Sequence, residues 1–179
     1  MDALPSLLGT LLERASHRAA ACLRAGGKLL ICGNGGSASD AQHFAAEMMG
    51  RFLEHREPYA AIALAADGAL LTCVGNAYAF DEVFSRQVRG LGRAGDVLFA
   101  ISTSGHSANV IEAARQARLL DMAVIGLLGR DGGLLAAECE VALVVPSHST
   151  ARIQEAHILL IHTLCESIEH LLGDQPSAA

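Results

Sequence analysis

Two short apolar runs, at residues 28–32 and 96–101, each end in a turn built almost wholly of glycine and hydroxyl side chains. The first turn reads Gly33-Asn34-Gly35-Gly36-Ser37 and the second Ser102-Thr103-Ser104-Gly105-His106-Ser107, and both lead into segments with helical spacing of apolar residues. Strand, tight turn and helix in repetition constrain a fold strongly, because neighbouring parallel strands need a crossover and a helix is the usual one. Three further runs share the strand character, at 60–64, 122–127 and 141–145, with helical patterns at about 37–51, 67–75, 80–91, 106–119 and 132–137. The alternation predicts an α/β fold, a doubly wound sandwich in which a five-stranded parallel sheet is flanked by helices. Ligands in such sheets bind beyond the carboxyl ends of the strands at the topological switch point, and both turns fall at those ends. Backbone N–H groups and hydroxyls at a helix N-terminus favour an anion, so the pair reads as a phosphate cradle. Glycine and serine also make tight turns for conformational reasons alone, so one turn by itself would decide nothing.

The chain of 179 residues, 51% hydrophobic, is long enough to bury one substantial core and reads as a single domain over residues 1–179. Its formal charge of −6, with the few basic residues scattered, excludes a basic stripe for nucleic acid. An anion must then be held by local donors and helix ends. No apolar stretch approaches the ~20 residues that span a bilayer. The start, Met1-Asp2-Ala3-Leu4-Pro5, lacks the basic segment of a secretory leader, so a soluble cytoplasmic protein without a membrane partner is expected. Cys22, Cys32, Cys73, Cys139 and Cys165 show no Cys-x-x-Cys spacing and read as small hydrophobes in a reducing compartment.

A last helix is predicted over residues 150–172, capped by Ser149 or Thr150 and stopped by Gly173. Its Ile153, Ile158, Leu160, Ile161, Leu164, Ile168 and Leu171 spread over more than one stripe, the mark of a helix covered by more than its own sheet. With the apolar helical segment 4–23, within an N-terminal oligomerisation helix at 1–25, it predicts a homo-oligomer. Residues 173–179 read as a disordered tail.

Four polar residues interrupt these apolar helices: His43, Glu47, Gln154 and His162. His43 and Glu47, spaced i, i+4, share one face and could grip one metal ion or one substrate group, although such a pair is ordinary on a solvated helix. Gln154 and His162 are ~12 Å apart along a helix axis. They meet one ligand only by leaning together or by coming from different subunits. His157 reads as a packed or interfacial histidine, and His17, His55, His106, His148 and His170 as surface or loop residues.

The string Cys32-Gly33-Asn34-Gly35-Gly36-Ser37, then Asp40-Ala41-Gln42-His43-Phe44 with Glu47, then Ile101-Ser102-Thr103-Ser104-Gly105, then Arg152-Ile153-Gln154-Glu155 with His162, resembles the phosphoheptose isomerases. These are the sedoheptulose 7-phosphate isomerases of the sugar isomerase (SIS) domain superfamily, and the likeness runs in order along nearly the whole chain. The resemblance implies a homotetramer with sites at subunit interfaces and one zinc ion per subunit at His43, Glu47, Gln154 and His162. It implies substrate contacts from Asn34, Gly35, Gly36, Ser37, Glu47, Asp67, Ser102, Thr103, Ser104, Ser107 and Gln154, with Glu47 and His162 as the catalytic pair. The implied reaction is an aldose–ketose isomerisation giving D-glycero-D-manno-heptose 7-phosphate, the first step towards nucleotide-activated heptose for lipopolysaccharide and related glycans. The chain departs from the family pattern at Ala66, where Ser or Thr is frequent, at Ala77, where Asp is frequent, and in a short first helix. A non-catalytic relative that binds a replication-initiator protein is the alternative. Such relatives replace the Glu and final His, whereas Glu47 and His162 are intact here.

Overall fold

The computed structural model describes residues 3–173. Helix α1 (Ala3–Arg24) leads into β1 (Leu29–Cys32), α2 (Gly36–Met49) and β2 (Ala61–Ala63). Helix α3 (Gly68–Ala77), a 3-10 turn (Phe80–Glu82) and α4 (Ser85–Leu91) follow, then β3 (Val97–Ser102) and α5 (Ala108–Leu119). Strand β4 (Ala123–Gly129), a second 3-10 turn (Leu134–Glu138), β5 (Val141–Val145) and α6 (Thr150–Gly173) complete the order. The expected five-stranded sheet forms, parallel throughout, in the order β2-β1-β3-β4-β5. The chain order reverses between β1 and β3, so the switch point lies where the two Gly- and Ser-rich turns leave the sheet.

Strands buried on both faces carry apolar residues at successive positions, and alternate ones feed opposite layers. Leu29, Ile31, Val97, Phe99, Ile125 and Leu127 face one layer, where α1, α2 and α6 supply Ala15, Phe44, Met48, Ile161, Leu164 and Ile168. Leu30, Leu98, Ala100 and Val124 face the other, packed by Val83, Phe84, Val88, Val110 and Ala114. The rings of Phe44 and Phe99 meet edge to face with centroids 4.9 Å apart, which seats α2 on the sheet.

Several boundaries differ from expectation for local reasons. The single helix expected at 80–91 is a 3-10 turn followed by α4, and this break lets the adjacent Val83 and Phe84 both enter the core. The helix expected at 132–137 is only a 3-10 turn, because Gly132 and Gly133 hold φ of 87° and 54°. Helix α5 starts at Ala108, two residues late, since Gly105 has φ 68° and the Ser104 hydroxyl accepts the His106 N–H at 3.1 Å. Ser102 closes β3, paired with Leu128, and so belongs to the strand.

Gly173 ends α6, while the tail expected beyond it lies outside the described residues. Cys73 is exposed, against the reading of buried cysteines; Cys22, Cys32 and Cys165 are buried, and burial pushes the Cys139 and Cys165 thiols up to about 12. Among the described residues no helix is long and apolar enough to cross a membrane.

Candidate active site

At the end of β1 the chain turns through Gly35, whose φ of 57° lies in the left-handed region that a side chain disfavours. Gly35 is the N-cap of α2, and Gly35 and Gly36 are both exposed, so their backbone stands open to a ligand. A Cβ on Gly36 would meet the Gln154 side-chain amide, which lies directly over this glycine. Ser37, buried at 3% exposure, sits in the first turn of α2.

The second turn is braced from within. The Ser102 hydroxyl accepts the Gly105 N–H at 3.1 Å and lies 3.1 Å from the Ser107 hydroxyl. A hydroxyl that accepts a bond still has its own proton to donate, so Ser104, half-buried and already accepting from His106, is primed as an anion donor. Ser107 is the N-cap of α5. The Thr103 carbonyl packs on Gly129, where a Cβ would collide with it. The two turns are tied together by Asn34 and Asn109, whose amides exchange hydrogen bonds of 2.8 and 2.9 Å.

Helices α2 and α6 run side by side in the same direction, with Gly36 against Gln154 at one end and His43 against His162 further along. The two Nε2 atoms are 2.9 Å apart, so one ring carries a proton there and the other accepts it. The Glu47 carboxylate lies 3.5 Å from His43 Nε2, and the Phe52 ring stacks on His162 with centroids 5.6 Å apart. His43 and Glu47 are 41% and 24% exposed, so the group is open to a solute.

A buried ion pair fixes this group from below. Arg56 donates from Nε to Glu169 on α6 at 2.6 Å, and from its two terminal nitrogens to the Met48 and Glu47 carbonyls at 2.8 Å each. Glu169 also accepts the N–H groups of Phe52, Leu53 and Glu54. Burial would raise its carboxyl, but the Leu53 and Phe52 N–H groups, Arg56 and the Glu54 N–H outweigh it and hold the group below the usual carboxylate range.

The structure therefore brings together Asn34, Gly35, Gly36, Ser37, Ser102, Thr103, Ser104 and Ser107 at the switch point, and His43, Glu47 and His162 further along α2, with His43 about two helical turns (~10 Å) and Glu47 about three (~16 Å) beyond Gly36. Asp67 stands at the carboxyl end of β2 and caps α3, accepting the Leu70 N–H at 2.9 Å. Gln154 does not join His162; it lies over Gly36, a separation fixed by the rise of α6. The donor types of His43, Glu47 and His162 suit zinc, but within one chain they touch as a string through His43. Among the described residues no three His, Cys, Asp or Glu side chains converge as a cage. His157 is fully buried: its Nε2 donates to the Leu128 carbonyl at 3.1 Å, and burial lowers its pKa, so it packs as a neutral ring. His17, His55, His106, His148 and His170 are exposed, as expected. Sequence reasoning missed Asn109, Arg56, Glu169 and Phe52.

A sheet of this order with hydroxyl-rich turns at its switch point is the build of a sugar isomerase (SIS) domain, and the SIS domain family model matches residues 6–129. A phosphoheptose isomerase from Neisseria gonorrhoeae is 59% identical over 154 residues, covering 84% of this chain and 78% of that protein. One from Helicobacter hepaticus is 55% identical over 152 residues, covering 85% and 78%. The solved structure of a phosphoheptose isomerase from N. gonorrhoeae superposes with a TM-score of 0.88 at 55% identity, over 93% of this chain and 89% of that one. One from Francisella tularensis gives 0.87 at 42% identity, over 90% and 86%. The chain belongs to the phosphoheptose isomerases.

Proposed function

We propose that this protein interconverts sedoheptulose 7-phosphate and D-glycero-D-manno-heptose 7-phosphate by proton transfer through an enediolate. The observation that carries the reading is one helix, α2, which starts at an anion-binding turn and two to three turns later presents an imidazole, His43, and a carboxylate, Glu47, beside the His162 ring. A substrate phosphate at the turn leaves the far end of the sugar, where C1 and C2 react, near Glu47. Glu47 takes the proton from one carbon and returns it to the next, while His162, sharing a proton with His43, supplies and recovers a proton at the neighbouring oxygen. The intact Glu47–His43–His162 string disfavours a non-catalytic binding protein. Purified protein given sedoheptulose 7-phosphate in deuterated water tests the reading. The expected result is heptose with solvent deuterium at the reacting carbon, and no conversion and no exchange would overturn it.

The phosphate contact is uniform binding and so appears in KM. Ser104→Ala is expected to raise KM about tenfold, the worth of one hydrogen bond to a charged group, with kcat within about threefold of the parent. Steady-state kinetics with unchanged KM would remove Ser104 from the phosphate site.

His43, Glu47 and His162 are the residues that would hold zinc, with the amide of Gln154 reaching them only from another copy of the chain. Zinc bound through the ring nitrogens of His43 and His162 would take the place of the proton they share and would itself polarise a substrate oxygen. The apolar groove of Leu8, Leu11, Val144, Leu159 and Leu160, with Leu159 66% exposed, supports a homo-oligomer, read as a tetramer. Elemental analysis is expected to find about one zinc per chain, removed by a chelator without loss of the folded-state circular dichroism, and light scattering to find a tetramer. A metal-free protein after zinc loading, or an active monomer, would refute the corresponding part.

A further inference from the structure

Asn34 and Asn109 are 75 residues apart in the chain, yet their side-chain amides form a closed pair, each donating one N–H and accepting at its oxygen. Asn109 lies in the first turn of α5 and is 2% exposed; Asn34 is half-buried at the tip of the first turn, directly before Gly35. An asparagine near a helix start ordinarily bonds its own backbone. This one reaches across the switch point to the other anion-binding turn. The two turns follow adjacent strands, β1 and β3, and each is braced internally, Ser102 on Gly105 and Ser104 on His106 in the second. The amide pair is a direct side-chain link between them.

We propose that Asn109 is a positioning residue: through Asn34 it sets the separation of the two turns, so that a phosphate finds its donors from both already in place. The proposal rests on the reading that the phosphate binds between these turns. The pair occupies one N–H and one oxygen lone pair of Asn34, and through it the Asn34 side chain holds the first turn to Asn109. Without the pair the two turns sample other separations, and apparent affinity falls by the fraction of time they are correctly spaced. A competent fraction reduced to about one tenth raises KM about tenfold, while saturating substrate restores the arrangement and leaves kcat within about threefold.

The test is a double-mutant cycle with two readouts, affinity for inorganic phosphate by titration calorimetry and steady-state kinetics on sedoheptulose 7-phosphate. Asn109→Ala, Asn34→Ala and the double variant are each expected to weaken phosphate binding and raise KM by the same factor of about ten, because one link is lost in all three. Asn109→Asp keeps the size and still accepts from Asn34 but cannot donate back, so it is expected to show the same kind of loss and serves where Asn109→Ala fails to fold. Phosphate affinity and KM within twofold of the parent in the folded Asn109 variants would overturn the proposal. So would a double variant whose loss is the product of the singles, or a parent that binds no phosphate. A parent that binds phosphate in the way described but converts no sugar would overturn the isomerase reading and leave the pair standing.

Discussion

Glu47→Gln is expected to lose at least ~10²-fold in kcat while keeping the fold and the affinity for phosphate, because a positioned general base contributes about that much and the amide has almost the same size. The carboxylate sits 3.5 Å from His43 Nε2 with 24% of its side chain exposed, so the exchange leaves no cavity and disturbs no buried partner. His162→Asn should cost a similar factor, since it removes the ring that shares a proton with His43 across 2.9 Å. The double variant should lose far less than the product of the two, as residues that act as one unit are not additive. If Glu47 served only to hold zinc, Glu47→Gln would lose metal, and saturating zinc would restore the rate. Deuterium exchange separates the two cases: washing of solvent deuterium into C1 and C2 at the parental rate by Glu47→Gln would show that Glu47 is not the base.

The parts of this site that are contiguous in sequence were readable there. Each turn lies within six residues, its glycines and hydroxyls follow an apolar run, and the i, i+4 spacing of His43 and Glu47 is a helical neighbour relation. The separation of Gln154 from His162 was readable too, because it follows from the rise of one helix, and the structure keeps them apart. What could not be read was chemistry between side chains far apart in the chain. Asn109 carries no periodic or spacing signal that ties it to Asn34, and Arg56 and Glu169 look like two surface charges until α6 lies along α2. The split of the expected helix at 80–91 was hidden for a related reason. Val83 and Phe84 fit a helical pattern, but the core takes both, and burial overrides the local preference.

The second large effect is expected at the buried pair of Arg56 and Glu169, whose side chains are 9% and 4% exposed. Glu169→Gln leaves the guanidinium buried without its counter-charge, a loss of about 3 kcal/mol, and for a chain of this length the melting temperature should fall by roughly 6–12 °C. Part of that stability depends on pH with a definite sign. The Glu169 carboxyl is held below its ordinary range in the folded protein, so the unfolded chain binds the proton more readily. The contribution is therefore complete above the unfolded value of about 4.3 and is lost as pH falls through the lower folded value. Between pH 8 and pH 6 the parent and Glu169→Gln should differ by a constant amount, and below about pH 4.3 the difference should shrink. Arg56→Lys separates stability from catalysis. Lysine keeps the charge but lacks the fork that serves Glu169 and the Met48 and Glu47 carbonyls together. That fork fixes the end of α2 that carries Glu47, and Glu169 fixes the loop whose Phe52 ring lies on His162, so a small displacement there misaligns the base with its imidazole partner. Arg56→Lys should thus melt within a few degrees of the parent yet lose about tenfold in kcat with KM little changed. Melting curves of Glu169→Gln that track the parent at every pH, together with a parental kcat in Arg56→Lys, would show that the pair neither stabilises the fold nor aligns Glu47.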